Sequence, residues 1–246
     1  MAEFSGKAAL VTGGTRGIGA AIVRHLARGG ADVAFTYASS GEKAAALVEE
    51  LTAQGRRCVA IQADSGDAHA VRQAVERAVS ELGRLDILVN NAGIFPSGPF
   101  EGVSLEEIDR TLAVHVRGVF VAAQAALTHM THGGRIISIG SCFAQRVPYG
   151  GVTLYAMSKS ALVGLTKGLA REVGERGITV NVVDPGSTDT DMNPADGPQV
   201  SAELALMAVK HFARPEDIAA TVGHLAGPSG RFITGASIAV DGGFTA

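Results

Sequence analysis

The chain has no tryptophan and only two cysteines, Cys58 and Cys142, among its 246 residues. Two cysteines cannot form the disulfide framework of a small secreted domain, and their scarcity is typical of a reducing compartment. No stretch reaches the ~18 uncharged apolar residues that span a bilayer, and the first residues lack the pattern of a signal peptide. The sequence therefore predicts a cytoplasmic protein that does not bind membranes.

Charged residues are also scarce, at 18% of the chain, and their signs nearly cancel to a net charge of −3. Because there is no basic excess, nucleic-acid binding is not expected to be the main task. Hydrophobic residues make up 46% of the chain, which is too apolar for a disordered protein. Apart from His115, the histidines show no metal-ligand spacing with cysteines or acids, so no catalytic metal is predicted.

Short apolar runs alternate with longer amphipathic stretches along the whole chain. The runs are apolar on both faces, which is typical of buried parallel strands; they cover residues 8–12, 33–37, 58–62, 85–89, 136–139, 178–183 and 237–240. Helices are predicted over about residues 18–29, 41–54, 67–82, 104–130, 154–174, 201–212 and 215–226. This alternation predicts one Rossmann-like α/β domain over residues 1–246, with a doubly wound, seven-stranded parallel sheet and helices on both faces.

A glycine-rich turn follows the first predicted strand and opens directly into a helix. It reads Thr-Gly-Gly-Thr-Arg-Gly-Ile-Gly over residues 12–19. Glycines permit a tight turn and let a phosphate approach the backbone, and the helix N-terminus supplies free N–H donors. A plain strand-to-helix turn is the alternative interpretation, but the strand before and the helix after favour dinucleotide binding.

Three further motifs follow in order along the chain. They are Asn-Asn-Ala-Gly at residues 90–93, Ser141 with Tyr155-x-x-x-Lys159, and Ile-Thr-Gly at 233–235 with Asp-Gly-Gly at 241–243. With the T-G-x-x-x-G-x-G turn, these motifs resemble the short-chain dehydrogenase/reductase family over essentially the whole chain. The likeness is greatest to the bacterial 3-oxoacyl-acyl-carrier-protein reductases within that family.

The resemblance implies hydride transfer between a nicotinamide cofactor and a C=O or CH–OH carbon. It implies that Ser141, Tyr155 and Lys159 are catalytic. The residues that it places around the cofactor, including those of the glycine turn, are Gly13, Thr15, Arg16, Gly17, Ile18, Gly19, Ser39, Ser40, Asp64, Ser65, Asn91, Ala92, Gly93, Tyr155, Lys159, Pro185, Gly186 and Thr188. Within this set, residues 64–65 should flank the adenine, 91–93 the ribose, and 185–188 the nicotinamide.

Tyr155 and Lys159 are four residues apart, so on a helix they share one face. A nearby ammonium should lower the tyrosine pKa and allow proton donation to a carbonyl oxygen as hydride arrives on carbon. Ser141 can hydrogen-bond the same oxygen; Ser138 is a rival hydroxyl, but it falls inside the predicted strand. Taken alone, the Tyr–Lys pair would be read as an ordinary surface pair.

The segment about 20 residues after the glycine turn reports on the choice of nicotinamide cofactor. An acid there would bind the ribose hydroxyls of NAD, but this segment offers Ser39 and Ser40 instead, with Lys43 slightly beyond. Arg16 can supply a cation to a 2′-phosphate. These residues favour NADPH over NAD, although the two serines could instead cap the next helix and Arg16 could be solvated.

His115 stands where the family's catalytic tetrad has an asparagine. A histidine can donate and accept hydrogen bonds, so it could hold the water of a proton relay. It could equally pack between helix and sheet with its nitrogens satisfied. The sequence leaves these two roles open, and it leaves the enzyme class unaffected.

The sequence says less about the substrate and the partners than about the fold and the cofactor. Candidates for the pocket wall are mostly apolar, which suits a hydrophobic ketone or acyl chain; they are Phe95, Pro96, Phe143, Gln145, Val147, Tyr149, Met192 and Phe212. Arg176 stands where related enzymes carry a basic residue for the acidic acyl carrier protein, but residues 128–134 contain no Lys or Arg. Free ketones or coenzyme A thioesters are therefore alternatives to a carrier-bound substrate. The resemblance also implies that the protein is a homotetramer. The alternatives are an NAD-dependent secondary-alcohol or sugar dehydrogenase, and a catalytically silent dinucleotide-binding regulator.

Overall fold

A seven-stranded parallel sheet forms the centre of the computed structural model, which describes residues 2–246. Its strand order is β3-β2-β1-β4-β5-β6-β7, and every neighbouring pair is parallel. The strands are β1 (Ala8–Val11), β2 (Asp32–Tyr37), β3 (Cys58–Gln62), β4 (Ile87–Asn90), β5 (Arg135–Ile139), β6 (Thr179–Pro185) and β7 (Ser237–Val240). The predicted fold class is confirmed. Because the order reverses between β1 and β4, a crevice opens at the carboxyl ends of these strands.

Helices cover both faces of the sheet. They are α1 (Gly17–Arg28), α2 (Gly41–Ala53), α3 (Ala68–Leu82), α4 (Leu105–Leu112), α5 (Gly118–Leu127), α6 (Thr153–Val173), α7 (Val200–Leu206) and α8 (Pro215–Ala226). One apolar core joins α1, α2 and α8 to the sheet, and a second core joins α3, α5 and α6 to the other face. Within residues 2–246, no helix is long and apolar enough to cross a membrane.

The predicted helix over 104–130 begins at Ser104 as its sequence indicates, but it is not continuous. The Ser104 side chain accepts from the Glu107 N–H while the Glu107 side chain accepts from the Ser104 N–H, so the capping box is formed. After Leu112, a π-helical turn over Ala113–Arg117 separates α4 from α5. Such turns occur often at functional sites, and this one carries His115.

The predicted helix over 201–212 ends six residues early, at Leu206. Beyond it the backbone turns toward the C-terminal segment, where the N–H groups of Ala208 and Val209 both donate to the Gly242 carbonyl. These long-range hydrogen bonds replace the helical ones. In contrast, β6 continues two residues beyond its predicted end and includes Asp184 and Pro185.

Candidate active site

All of the predicted catalytic and cofactor residues line a single cavity of about 980 Å³ at the carboxyl ends of the strands. Three groups of residues meet there: the glycine turn before α1, the segments that follow β2 to β6, and the N-terminal half of α6. The lining includes Ser141, Tyr155 and Lys159 together with every residue assigned above to the cofactor. Residues that are up to 175 positions apart in the sequence are thus brought to one site.

The glycine turn has the geometry of an anion cradle. Gly13 and Gly17 have φ of 66° and 49°, a region that favours glycine, so side chains there would strain the turn. Helix α1 begins at Gly17 with no side-chain hydrogen bond at its N-cap and no acid in its first turn. Its first N–H groups therefore face the cavity with the positive end of the helix dipole, which suits a pyrophosphate.

Asn91 fixes the glycine turn from the neighbouring strand end. Its Nδ2 donates to the carbonyls of Thr12 (3.0 Å) and Gly13 (2.9 Å). The Thr12 hydroxyl accepts from the backbone N–H groups of Asn91 and Ala92. Asn91 therefore holds the cradle in shape besides lining the cavity, and Thr12 is a positioning residue that our sequence analysis did not assign.

Arg16 lines the cavity with Ser39 and Ser40, and a second cation, Lys43, lies just outside that lining. Lys43 Nζ is 3.0 Å from an Asp191 carboxylate oxygen, and an Arg16 guanidinium nitrogen is 3.9 Å from the same oxygen. Ser40 is the N-cap residue of α2, yet its side chain makes no capping hydrogen bond. The alternative that Ser40 serves as a helix cap is therefore not supported, and its hydroxyl can bind a phosphate oxygen.

Arg110 is a second residue that our sequence analysis did not assign to the site. It forms a bidentate ion pair with Asp64, both N–O distances being 2.9 Å, and Gly66 N–H donates to the same carboxylate. These bonds hold the pKa of Asp64 below its ordinary value. The partner of Asp64 lies 46 residues away on another helix, so no local pattern indicates it.

Ser141, Tyr155 and Lys159 converge at the inner end of the cavity. Ser141 follows β5 and lies close enough to Tyr155 to lower the pKa of its phenol, whereas its rival Ser138 is buried within β5. Lys159 is only 4% exposed; its Nζ donates to the Ile139 carbonyl (2.8 Å) and lies 5.7 Å from the centre of the Tyr155 ring. The three predicted catalytic side chains, Ser141, Tyr155 and Lys159, thus lie next to one another.

The expected effect of Lys159 on Tyr155 is not found in this structure. Desolvation in the cavity raises the pKa of Tyr155 to about 12, and this outweighs the hydrogen bond from Ser141 that lowers it. Burial also lowers the pKa of Lys159 to about 8. The prediction of a lowered tyrosine pKa was wrong for the cofactor-free chain, because taking both groups out of water disfavours each charged form.

His115 has both ring nitrogens engaged. Its Nε2 accepts from the Ile94 N–H (2.9 Å), so the proton lies on Nδ1, which faces the Ser158 hydroxyl at 2.8 Å. Ser158 in turn donates to the Tyr155 carbonyl (2.7 Å). Burial lowers the pKa of His115 to about 3, so the ring stays neutral. Of the two roles left open, this geometry supports packing and positioning, because neither nitrogen is free for a relay water.

We expect His115→Ala to lower the free energy of unfolding by about 2 kcal/mol, because the partly buried Ile94 N–H loses its acceptor and the buried imidazole is removed. Urea unfolding of both proteins measures this difference. A variant with unchanged stability and a loss of kcat as large as that caused by removing the Tyr155 hydroxyl would instead indicate a proton relay.

Aromatic side chains surround Tyr155. The Phe95 ring lies 4.7 Å and the Phe143 ring 6.0 Å from it between centroids, both edge-on, and Tyr149 packs on Phe143. Of the predicted wall residues, the cavity is lined by Phe95, Phe143, Tyr149 and Met192. The others lie elsewhere: Phe212 is buried, Gln145 is bonded behind the cavity, and Pro96 and Val147 are outside the lining.

Arg176 does not present its charge for docking. Its guanidinium donates to the carbonyls of Leu127 and Met130, where it holds the end of α5. The prediction that it is available to an acidic carrier is therefore not supported. Among residues 2–246, no group of three or more His, Cys, Asp or Glu is arranged to hold a metal ion.

Known proteins resemble this chain over its full length. A family model described as enoyl-(acyl carrier protein) reductase matches residues 13–245. The "Cyclic-di-GMP-binding biofilm dispersal mediator protein" of Escherichia coli K12 is 46% identical over 100% of both chains. The 3-oxoacyl-[acyl-carrier-protein] reductase FabG of Staphylococcus aureus Mu50 is 41% identical over 96% of this chain and 97% of its own.

Among solved structures, a blue fluorescent protein from a metagenomic library, crystallised with NADPH, is 59% identical to this chain. It covers 99% of this chain and 100% of its own, with a TM-score of 0.98. Full-length relatives above 40% identity, the matching family model and the shared fold all agree with the motifs of the sequence. The chain belongs to the short-chain dehydrogenase/reductase family, as its sequence predicts.

Proposed function

We propose that this protein reduces a free hydrophobic ketone with NADPH. The observation that carries the proposal is the meeting of Ser141, Tyr155 and Lys159 with the glycine turn in one aromatic-walled cavity. A cradle for a pyrophosphate lies at one end and a tyrosine proton donor at the other. The proposal concerns the substrate class and the direction of the reaction within the family.

The cavity fits NADPH at its outer end. Arg16 lines the cavity with Ser39 and Ser40, where a 2′-phosphate on the ribose would extend, and Lys43 lies close by, paired with Asp191. Residues 36–41 contain no acid that would repel the phosphate. The metagenomic relative, 59% identical, was crystallised with NADPH. When bound, NADPH supplies the hydride.

The chain's own residues supply orientation and the proton. Ser141 and Tyr155 can both donate hydrogen bonds to the substrate carbonyl oxygen and hold it as negative charge develops there. The Tyr155 hydroxyl then gives its proton to that oxygen. Lys159 places a positive charge beside the tyrosine and faces the position expected for the nicotinamide ribose.

The raised pKa of Tyr155 matches the protonation state that ketone reduction requires of the proton donor. With a pKa of about 12, the phenol carries its proton throughout the neutral range and is ready to donate it. Alcohol oxidation would require the phenolate, which is scarce at neutral pH in this arrangement. The reductive direction therefore needs no change in protonation before turnover.

We expect the kcat/KM for ketone reduction to be level below about pH 8 and to fall above it. Lys159 has a pKa of about 8 and loses its positive charge through this range, whereas Tyr155 deprotonates only near 12. A pH–rate profile from pH 6 to 10 measures the midpoint. A profile that stays level to pH 10 would show that the charge on Lys159 is not needed.

A free ketone fits the cavity better than a carrier-bound acyl group. Phe95 and Tyr149 line the cavity and are 41% and 43% exposed, so an apolar substrate would cover them. The candidate docking cation, Arg176, already donates to two backbone carbonyls, and residues 128–134 contain no Lys or Arg. Fewer basic groups are therefore free to attract an acidic carrier at this position.

The test is NADPH consumption over matched pairs of substrates. Aromatic and cyclic ketones are compared with acetoacetyl thioesters of coenzyme A and of acyl carrier protein, and with a sugar, each with NADPH and NADH. We expect turnover of free ketones with NADPH. Turnover on the carrier thioester alone would contradict the substrate class, and preference for NADH would contradict the interpretation of Arg16 and Lys43.

A regulatory use of the same cavity is the second candidate. The Escherichia coli relative is named for cyclic-di-GMP binding, and a cyclic dinucleotide is also an anion that would meet the cradle and Arg16. If it binds there, cyclic-di-GMP must compete with NADPH. Titration of one against the other by calorimetry decides this, and turnover on any ketone excludes a catalytically silent regulator.

A homotetramer is the assembly that we propose. Apolar side chains on α4, α5 and α6 are exposed in the single chain, where Leu105 is 75%, Phe120 54% and Met157 50% exposed. Burying them between subunits would remove apolar surface from water. Light scattering coupled to gel filtration gives the mass directly.

A further inference from the structure

A fully buried carboxylate lies behind the catalytic serine. Asp184 is 0% exposed, near the carboxyl end of β6, where it pairs in register with Ala239 of β7. A Cβ at Gly140 would collide with its Oδ1, so the glycine before Ser141 leaves the room that this side chain occupies. No step derived above uses Asp184.

Every polar neighbour of Asp184 donates a hydrogen bond to it. The Ser141 N–H donates to Oδ1 at 3.0 Å, Gln145 Nε2 donates to Oδ2 at 3.2 Å, and the Ser237 hydroxyl also donates to Oδ2. Three donors and no competing acceptor are the surroundings of an ionised carboxylate. Asp184 therefore brings a buried negative charge to the floor of the active site.

Lys159 is the buried positive charge that this carboxylate can balance. Its ammonium is 4% exposed, and its hydrogen bond goes to a neutral carbonyl, that of Ile139. Within residues 2–246, Lys159 forms no ion pair shorter than 4.0 Å with a carboxylate. Asp184 is the acid whose charge acts on Lys159 to keep it protonated. Removing that charge leaves a buried ammonium without compensation.

We propose that Asp184 is a positioning residue that fixes Ser141 through its backbone and supplies the buried counter-charge that keeps Lys159 an ammonium. The proposal deepens the proposed reductase function and rests on it. The same negative charge opposes ionisation of Tyr155. Loss of the charge therefore makes both groups give up their protons at lower pH.

Several other groups face this part of the cavity. The ionisable or hydrogen-bonding side chains near Tyr155 and Lys159, from β5, α6, β7 and the flanking turns, are Ser141, Cys142, Gln145, Tyr149, Ser158, Ser237, Asp241 and His115. Burial raises the pKa of the Cys142 thiol to about 12, and His115 is neutral above about pH 3. In the described part of the chain, residues 2–246, the charged groups near the proton donor at neutral pH are thus Asp184, Asp241 and Lys159.

The test is the nearly isosteric substitution Asp184→Asn, with Ser237→Ala as the matched control. Ser237→Ala removes one hydrogen bond to Asp184 but keeps its charge. The alkaline limb is the fall of kcat/KM that is expected above about pH 8. In Asp184→Asn we expect the midpoint of this alkaline limb to move to lower pH by at least about half a unit. In Ser237→Ala the midpoint should not change. An unmoved limb in a folded Asp184→Asn protein would overturn the proposal.

A second readout needs no turnover and separates this proposal from the reductase function. Tyrosinate absorbance of the cofactor-free protein is titrated, and the Tyr155 signal is assigned by difference from Tyr155→Phe. Asp184→Asn should lower the titration midpoint of Tyr155, and an unchanged midpoint would overturn the proposal. If wild type reduces no ketone, the function fails while this titration still tests Asp184.

A third variant covers the case in which Asp184→Asn does not fold. Gln145→Lys places an ammonium beside the carboxylate from an exposed position and neutralises its charge locally. It should move the alkaline limb and the Tyr155 midpoint in the same direction as Asp184→Asn. Gln145→Met, which loses the same hydrogen bond without adding charge, is the control and should move neither. Equal behaviour of the two Gln145 variants would contradict the proposal.

Discussion

Tyr155→Phe is expected to reduce turnover by about 10³-fold and to leave NADPH binding intact. The substitution removes only the hydroxyl that gives its proton to the carbonyl oxygen. The ring, and its edge-on contacts with Phe95 and Phe143, remain. Steady-state kcat and a fluorescence titration of NADPH measure the two quantities on the same sample.

Tyr149→Phe is the comparison for this experiment, because it removes a phenol from the wall of the same cavity. It should lose far less activity than Tyr155→Phe, since Tyr149 packs on Phe143 and does not hydrogen-bond Ser141 in this structure. If Tyr155→Phe kept most of its turnover, another group would be the proton donor and the mechanism would be wrong.

Removing both cations at the outer edge of the cavity is expected to weaken NADPH binding by about thirtyfold. Arg16 and Lys43 are 53% and 58% exposed, so each contact with a 2′-phosphate is screened and contributes roughly 1 kcal/mol. NADH lacks this phosphate, and its affinity should change little in Arg16→Ala/Lys43→Ala. Dissociation constants for the two cofactors, measured at one ionic strength, give the ratio.

Arg28→Ala is the control for the loss of charge itself. Arg28 is an exposed cation at the far end of α1, away from the cavity. Its removal lowers the net charge by one, half the change in the double variant, and should leave the NADPH to NADH ratio as in wild type. If the double variant bound NADPH and NADH with equally reduced affinity, the two cations would not act on the 2′-phosphate. They would then act on a part that both cofactors share, such as the pyrophosphate, or on the shape of the cavity.

The sheet and the order of its elements were predictable from local patterns, whereas most residues of the cavity were assigned through the resemblance to a known family. Buried parallel strands are recognisable because they are apolar on both faces. The turn before α1 is recognisable because its positive φ values, at Gly13 and Gly17, favour glycine. The start of the helix predicted over 104–130 was also found, because the capping box of Ser104 and Glu107 is a contact within one turn. Features that depend on a few neighbouring residues can therefore be predicted from one sequence.

The features that were missed depend on residues far apart in the chain. The end of α7 at Leu206 is set by hydrogen bonds to Gly242, and Asp64 is held by Arg110. Asp184 falls just after the predicted strand over 178–183, yet its neighbours make it a buried charge behind Ser141.

Electrostatics were missed for the same reason. The ammonium of Lys159 was expected to control the tyrosine, but the pKa of Tyr155 depends on how much water the folded cavity removes. His115 is a similar case, because only the structure shows that Ile94 and Ser158 occupy its two nitrogens. Residue types predict which chemistry is available, and packing decides the protonation states in which it operates.

The most direct test of the account is the transfer of deuterium from C4-labelled NADPH to a free aromatic ketone. The account predicts an alcohol with deuterium at the carbinol carbon, formed by wild type and lost in Tyr155→Phe. Tight NADPH binding without label transfer to any free ketone, under conditions in which the protein is folded, would contradict it.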